Sequence, residues 1–318
     1  MVTDIHKIAA TASECWGLPA AAICLVAQRE NTTFRLDTVK GQSYALRLHR
    51  PGYHGLQQLQ AEMQWLCYLA AQGLEVATPV ASSAGNLMGQ VDGYHVSVLR
   101  WLDGQPMGQA GVPLQLQHKS LLFYQLGQAM ARLHTMSDAW PSGQSLARPH
   151  WNLEGLLGDV PLWGAFWNNP ELTPTQKQLF NNTRASIRAQ IGGIQQELDY
   201  GLIHADLVRE NIIVHQNQLQ LIDFDDSGFG FRLFELATCL LANTNEPDYE
   251  TLKTQLIAGY HSVRPLDVTH LQLFIMLRSL TYVGWILPRL QEQGGPARSQ
   301  RFIQRAVLLC EQYGRTKY

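Results

Sequence analysis

Residues 201–226 read Gly201-Leu-Ile-His-Ala-Asp206-Leu-Val-Arg-Glu-Asn211-Ile-Ile-Val-His215-Gln-Asn-Gln-Leu-Gln-Leu-Ile-Asp223-Phe-Asp-Asp226. Two short apolar segments in this stretch, Ile212–Val214 and Leu219–Ile222, are separated by a polar turn. Apolar runs of this length on either side of a turn predict a β-hairpin. Because the strands of a hairpin are antiparallel, its two outer ends lie together.

Three side chains with oxygen atoms flank the predicted hairpin. Asn211 precedes the first strand and Asp223 follows the second, while Asp206 lies on the loop leading into the same end. Mg²⁺ prefers hard oxygen ligands and keeps positions for phosphate oxygens. Phosphoryl transfer also needs a separate carboxylate that orients the acceptor hydroxyl and accepts its proton. We therefore assign Asp206 as catalytic base and Asn211 and Asp223 as metal ligands.

Each piece of this pattern has a purely structural interpretation. Asp206 alone could cap a helix, and Asp223 alone could end a strand. The joint pattern HxDxxxxN, followed by a two-strand spacer and then Ile-Asp-Phe, favours the catalytic interpretation.

Length, composition and charge limit the class of protein. The 318 residues, 46% hydrophobic and 16% charged, suffice for one large or two ordinary domains. The net charge of -2 gives no basic surface for nucleic acid, and no apolar run reaches the ~20 residues of a membrane span. The start lacks the pattern of a signal peptide, and the five cysteines form no CxxC pair. We expect a cytoplasmic protein with no nucleic-acid and no membrane partner.

The rest of the chain changes from β-rich to helical. Its apolar periodicity predicts helices over residues 5–16, 56–72, 121–134 and 177–198, and strands over residues 21–28, 32–39, 43–49, 86–91 and 94–101. Polar, turn-forming residues occupy 102–106. We predict an α+β protein with a β-rich N-terminal lobe (1–101), a connector (102–106) and a helical C-terminal lobe (107–318).

The pattern HxDxxxxN followed by Ile-Asp-Phe resembles the catalytic and metal motifs of the aminoglycoside phosphotransferase and choline kinase family. The resemblance extends over essentially the whole chain and includes homoserine kinase-like members. It implies a bilobal protein-kinase-like fold and an ATP-dependent, Mg²⁺-dependent kinase. The N-terminal lobe would bind ATP, and the C-terminal lobe would carry the catalytic residues and bind the acceptor.

The resemblance also implies roles for residues of the N-terminal lobe. Arg47 stands where the family has a strand lysine that contacts the α- and β-phosphates, and Glu62 matches the acidic residue that orients this cation. The turn at residues 29–34 lacks the GxGxxG pattern, so Asn31 and Thr32 are expected near the phosphates instead. The alternative interpretations are that Arg47 is a solvated arginine of a strand and that Glu62 is an ordinary surface glutamate.

Residues after the metal motif are candidates for support and for binding the acceptor. Asp225 and Asp226 either face the acceptor or cap the next helix. Glu235 stands where family members usually have an aspartate that supports the catalytic loop, and His204 is expected to brace that loop. The candidate wall residues are aromatic, with core packing as the alternative: Trp151, Trp163, Phe166, Trp167, Tyr282 and Trp285.

Three hypotheses describe the acceptor. The favoured one is a small hydroxyl compound with an amine, such as homoserine, an amino alcohol, choline or an aminoglycoside. The second is a protein serine or threonine, since a bacterial stress-response kinase has the same architecture and a similar turn at Arg50-Pro51-Gly52. The third, a nucleotide-binding regulatory protein without turnover, is disfavoured because Asp206, Asn211 and Asp223 occur together.

Overall fold

The computed structural model describes residues 4–28 and 31–315, so Arg29 and Glu30 of the predicted phosphate-covering turn lie outside the described residues. The helices and strands confirm an α+β protein. In chain order they are α1 (Ile5–Cys15), β1 (Ala20–Gln28), β2 (Asn31–Thr38), β3 (Ser43–His49), α2 (Leu56–Ala71), β4 (Pro79–Val80), β5 (Met88–Val91), β6 (Tyr94–Arg100), β7 (Gln105–Pro106), α3 (Lys119–Asp138), β8 (His150–Trp151), α4 (Leu153–Leu157), α5 (Pro174–Ile194), β9 (Tyr200–Ile203), β10 (Ile212–His215), β11 (Gln218–Leu221), β12 (Gly228–Phe231), α6 (Arg232–Leu241), α7 (Tyr249–His261), α8 (Leu271–Trp285) and α9 (Gly295–Arg315).

Nine of the eleven predicted helices and strands begin and end within two residues of the predicted positions. The exceptions are the helices predicted over residues 121–134 and 177–198, which are α3 and α5. The helix α5 begins at Pro174, because Thr173 caps it by accepting a hydrogen bond from the N–H of Gln176. Proline is favourable in the first turn, where its missing N–H has no intrahelical partner to lose. The capping pattern, rather than apolar periodicity, therefore determines where this helix starts.

The chain forms two compact units. The first comprises Met1–Met107, Met136–Arg148 and Ile212–Asp225, and the second comprises Gly108–Thr135, Pro149–Asn211 and Asp226–Tyr318. This division differs from the predicted boundaries 1–101, 102–106 and 107–318, because two later segments belong to the first unit. The functional assignment of the predicted lobes stays a prediction.

In the first unit, an antiparallel sheet has the strand order β1-β2-β3-β6-β4, with β5 also paired to β6. Leu46 and Leu48 of β3 pack with Ile8 of α1 in the hydrophobic core. Successive side chains of a strand point to opposite faces, so Arg47 and His49 lie on the other face of the sheet. Both are also buried. The alternation along β3 thus separates an apolar face from a face that carries a buried cation.

The predicted hairpin is present in the first unit as β10 and β11, with Ile212 opposite Leu221. Its turn residues Gln216 and Asn217 both have positive φ, +48° and +63°, as a tight two-residue hairpin turn requires. The predicted connector contains a strand that the sequence did not indicate, because β7 pairs with β10. Gly104 permits this approach, since a Cβ there would lie 2.5 Å from the carbonyl oxygen of Val214.

The second unit contains a three-stranded sheet in the order β8-β12-β9 and a set of packed helices. The helices α3 and α7 approach each other closely at two glycines. A Cβ on Gly127 would lie 2.0 Å from the carbonyl oxygen of Leu256, and one on Gly259 would lie 1.9 Å from that of Tyr124. Since real Cβ contacts are never this short, glycine at these positions sets the spacing of the two helices.

The apolar helix α8 lies in this unit. Together with the turn that follows it, to Arg289, it is the one helical stretch in residues 4–28 and 31–315 that is long and apolar enough to cross a membrane. In its most apolar window, 72% of the residues are buried inside the protein. Such burial is typical of a helix in a protein core.

Gly259→Ala should destabilise the protein, whereas Gly193→Ala should stabilise it slightly. Both glycines are helical and gain up to about 1 kcal/mol of helix propensity on substitution. A Cβ added at position 259 would meet a backbone oxygen of α3. A Cβ added at position 193 would have no atom of another segment within 4 Å. Forcing the helices apart costs about 1–3 kcal/mol or more. Urea unfolding of the two variants measures the difference, and equal effects would contradict the close helix contact.

Candidate active site

In the first unit, the guanidinium of Arg47 lies among three carboxylates. Its Nη1 is 2.6 Å from Oε1 of Glu62, and its Nη2 is 3.2 Å from Oδ1 of Asp225 and 3.7 Å from Oδ1 of Asp223. The Arg47 side chain is only 5% exposed. Burial alone would lower its pKa, but the three carboxylates outweigh burial and hold the pKa above its usual range. The predicted pair of Arg47 and Glu62 is therefore in direct contact, and Arg47 is not a solvated strand residue.

Two residues that the sequence did not indicate complete this cluster. Arg148 is buried and donates hydrogen bonds to the carbonyl oxygens of Gln58, Phe224 and Asp225. Its Nη1 also lies 4.0 Å from Oε2 of Glu62. His54 lies with Nε2 3.6 Å from Oδ2 of Asp225. No local sequence pattern indicated that Arg148 or His54 belongs to this cluster, because their partners are distant in the sequence.

Asp223 of the metal motif and Asp225, which follows the motif, have different environments. Asp223 follows β11 with a φ of +65°, a left-handed conformation that is uncommon outside glycine and concentrates at functional sites. Its side chain is 51% exposed. Asp225 is buried; burial raises its pKa, but the nearby imidazole of His54 and the charge of Arg47 outweigh this and lower the pKa. Asp225, considered above as an acceptor residue, thus contacts Arg47 and His54.

The predicted phosphate-binding residues Asn31 and Thr32 lie at the start of β2. Oδ1 of Asn31 accepts a hydrogen bond of 3.4 Å from the N–H of Arg50, and Thr32 is opposite Leu48 in the sheet. Their contact with phosphate stays a prediction.

In the second unit, the carboxylate of Asp206 is held at both oxygens. Nη2 of Arg278 lies 2.8 Å from Oδ1, and Nδ2 of Asn211 donates to Oδ2 at 3.1 Å. The same Nδ2 lies 2.9 Å from the backbone oxygen of Asp206. The side chain of Asp206 is 24% exposed, so water or a small molecule can reach it. The structure thus brings together two of the three residues that define the sequence pattern.

The loop before Asp206 is held by Glu235 of α6. Oε1 accepts a hydrogen bond from the N–H of His204 and Oε2 accepts one from that of Ala205, both at 2.8 Å. Ala205 has a φ of +66°, so these two bonds fix a sharp turn in the backbone. The N–H of Asp206 donates to Nδ1 of His204 at 3.3 Å. Glutamate therefore supports this loop with both oxygens, and His204 braces it as expected.

An aromatic cluster lies beside Asp206 and Asp226. The indole N–H of Trp163 donates to Oδ1 of Asp226 at 3.3 Å, and that of Trp151 donates to the backbone oxygen of Asp226 at 2.9 Å. The Trp163 ring also contacts Trp285, with centroids 6.3 Å apart. Four of the six candidate wall residues belong to this cluster, namely Trp151, Trp163, Tyr282 and Trp285.

The other two candidate wall residues are core residues. Phe166 and Trp167 are buried, and the Phe166 ring packs against Phe180 of α5. The guanidinium of Arg184 lies 3.7 Å from the centroid of the Trp167 ring. For these two residues the structure agrees with the core interpretation, and the same holds for Trp151 of the aromatic cluster, which is fully buried.

Asn211 in the second unit and Asp223 in the first unit each carry an oxygen that is suited to a hard divalent cation. The amide nitrogen of Asn211 is bonded to Asp206, so its oxygen is the atom that would bind a metal. Within residues 4–28 and 31–315, no group of three or more His, Cys, Asp or Glu side chains could hold a metal ion. Mg²⁺ does not need such a group, because it binds through one or two protein oxygens together with phosphate oxygens and water.

Over most of its length the chain matches a family of enzymes that transfer phosphate. The model of the APH phosphotransferase enzyme family matches residues 24–266. Because this range covers more than half of the chain, the chain belongs to that family. The predicted resemblance is thereby confirmed.

Individual relatives agree with this family. A homoserine kinase of Rhizobium meliloti (strain 1021) is 27% identical over 272 residues, which cover 83% of this chain and 76% of that protein. The structure of a microcompartment-associated aminopropanol kinase is 25% identical, with a TM-score of 0.85 over 98% of both chains. An amicoumacin kinase in complex with AMP-PNP and Ca²⁺ is 20% identical, with a TM-score of 0.78 over 96% of this chain and 93% of that chain. These similarities confirm the protein-kinase-like fold.

Glu235→Gln should change how stability depends on pH. Burial raises the pKa of the Glu235 carboxyl to about 7, from an ordinary 4.5, although hydrogen bonds from His204 and Ala205 oppose the rise. The folded protein therefore binds this proton more tightly than the unfolded chain does, and the wild type loses stability as the pH rises from 4.5 to about 7. The neutral glutamine lacks this loss, which is about 3 kcal/mol at most.

Urea unfolding of the wild type and of Glu235→Gln between pH 4.5 and 8 tests this expectation. The difference in free energy of unfolding should move in favour of the variant as the pH rises. Glu311→Gln, at an exposed position of α9, is the matched control for the loss of a carboxylate. A difference between wild type and Glu235→Gln that is constant with pH would contradict the raised pKa.

Proposed function

We propose that this phosphotransferase uses ATP and Mg²⁺ to phosphorylate the hydroxyl group of a small, amine-bearing metabolite in the cytoplasm. The observation that carries the proposal is the carboxylate of Asp206, which Asn211 and Arg278 hold at its two oxygens. A fixed and partly exposed carboxylate is suited to orient an acceptor hydroxyl.

The first unit supplies groups for the nucleotide in this proposal. Arg47 is a buried cation oriented by Glu62, and a guanidinium can bind two phosphate oxygens at once. Asp223 and Asn211 are the proposed metal ligands. These two residues would hold Mg²⁺, which would supply positive charge against the negative charge that develops on the phosphate oxygens.

Asp206 acts as the base. The acceptor oxygen forms a bond to the γ-phosphorus, while the bond from that phosphorus to the bridging oxygen of ADP breaks. The proton of the acceptor hydroxyl passes to a carboxylate oxygen of Asp206. Since Glu235 fixes the backbone before Asp206, the base is held in place from both the backbone and the side chain.

The amine preference is supported by the charges near the aromatic cluster and by the relatives. Arg209 pairs with Glu246 at 2.7 Å, and Arg232 has Asp199 3.8 Å away. The carboxylate of Asp226 accepts a hydrogen bond from the indole N–H of Trp163, and its negative charge can attract an ammonium group. Homoserine and aminopropanol, the compounds in the names of two relatives, each carry an amine and a hydroxyl.

Asp206→Asn should reduce transfer to a small residual rate while leaving nucleotide binding near normal. The substitution keeps the size of the side chain but removes the base, and a positioned base contributes about 10²–10⁴-fold in rate. Product formation measures kcat, and the stabilisation by AMP-PNP with Mg²⁺ in a thermal-shift titration measures binding. The matched control is Asp92→Asn, in an exposed turn where φ is +46° and asparagine is tolerated. If Asp206→Asn turned over substrate at a rate close to that of the control, the hypothesis that Asp206 is the base would be refuted.

Matched pairs of acceptors should reveal a preference for the amine. Homoserine should be phosphorylated faster than 4-hydroxybutanoate, or 1-amino-2-propanol faster than 1,2-propanediol, because Asp226 attracts the ammonium group. The preference should shrink in Asp226→Asn. Equal rates within both pairs would contradict it, and efficient phosphorylation of Ser/Thr peptides would favour a protein acceptor.

A further inference from the structure

One buried arginine lies directly against the proposed base. Arg278 of α8 has a side chain with 0% exposure. Its Nη2 is 2.8 Å from Oδ1 of Asp206 and 3.2 Å from the hydroxyl of Tyr282. Arginine is almost never fully buried unless it is paired, so the full burial of Arg278 requires a physical explanation.

The guanidinium is enclosed by aromatic rings. Its central carbon lies 4.2 Å from the centroid of the Trp163 ring, 4.7 Å from that of Tyr282 and 5.1 Å from that of Phe234. A cation over a ring face is attracted by it, and more strongly when the cation is desolvated. The ring of Trp163 thus binds a cation of the protein itself.

The burial of this cation is nevertheless costly. In the part of the chain that the structure describes, Nε and Nη1 of Arg278 have no hydrogen-bond partner. Replacing a buried ion pair by apolar side chains of similar volume is often neutral or stabilising. Asp206 is partly exposed, so water can solvate it if Arg278 is removed. Stability of the fold therefore does not explain an arginine at this position.

We propose that Arg278 is a positioning residue, held by Trp163, Tyr282 and Phe234, that fixes the carboxylate of Asp206. This inference rests on the proposed function, in which Asp206 is the base. Arg278 holds Oδ1 while Asn211 holds Oδ2, and two contacts prevent the carboxylate from rotating. Misplacement of a reacting group by about 1 Å can cost about 10²-fold in rate.

Trp163 connects this arrangement to the proposed acceptor residue. Its ring covers Arg278, and its indole N–H donates to Asp226. Trp163→Phe keeps an aromatic face over the cation but loses the hydrogen bond, whereas Trp163→Leu loses both. If the ring holds Arg278 in place, kcat falls more in the leucine variant than in the phenylalanine variant.

The experiment compares Arg278→Met and Arg278→Lys with the wild type. In Arg278→Met, kcat should fall about 10²-fold, while the KM for ATP and the stabilisation by AMP-PNP with Mg²⁺ remain unchanged. Its urea midpoint should not fall, because methionine fills the site without a buried charge. Arg278→Lys should recover part of kcat. Arg184→Met removes another arginine that lies over a tryptophan and serves as the control with unchanged kcat.

Two outcomes would overturn the proposal. A wild-type kcat in Arg278→Met would exclude a positioning role. A loss of activity that follows a loss of stability, without recovery by lysine, would make Arg278 a structural residue.

The variant Asp206→Asn, measured alone and combined with Arg278→Met, separates this inference from the proposed function. If Arg278 acts through Asp206, the double variant is no slower than Asp206→Asn alone. An active Asp206→Asn would refute the proposed base itself. An inactive Asp206→Asn together with a fully active Arg278→Met would refute only the positioning role.

Discussion

The positive charge of Arg47, buried beneath the sheet of the first unit, must be compensated by negative groups, and the arrangement of that unit depends on this requirement. An isolated ion in a protein interior is strongly unfavourable. Glu62 from α2 and Asp225 from the segment after the hairpin both contact Arg47. Arg148 then binds the backbone oxygens of Phe224 and Asp225. Three segments that are distant in sequence are thus held together by buried charge, which places the hairpin in the first unit.

The second unit repeats this principle around a different carboxylate. Asp206 is partly exposed, and its partner Arg278 is the buried member of the pair. Aromatic rings rather than further carboxylates surround that arginine. Ring faces attract a cation without supplying hydrogen-bond acceptors. Arg278 therefore keeps Asp206 as its principal acidic contact, an arrangement suited to holding one carboxylate in one orientation.

The same aromatic cluster changes how an amine would be recognised. Tryptophan faces near the acceptor are natural binding sites for an ammonium group, yet Trp163 lies over Arg278 and the guanidinium of Arg289 lies 3.9 Å from the Trp285 ring centroid. In the proposed function the attraction for an amine consequently comes from the carboxylate of Asp226. An ionic attraction is stronger where water is excluded. In this proposal the indole groups around Asp226 therefore strengthen its attraction for an amine by keeping water away from the carboxylate.

The sequence by itself determined the local elements and the identity of the central residues. Alternation along β3, the hairpin after Asn211 and the spacing from Asp206 to Asp223 are all properties of neighbouring residues, so they can be recognised without tertiary contacts. The pairing of Arg47 with Glu62 was accessible only through the family resemblance. Only the tertiary structure decided the contacts of Arg148 and Arg278, because their partners lie far away in the chain. Whether a buried charge is tolerated depends on which distant groups surround it, and no local pattern of residues encodes that.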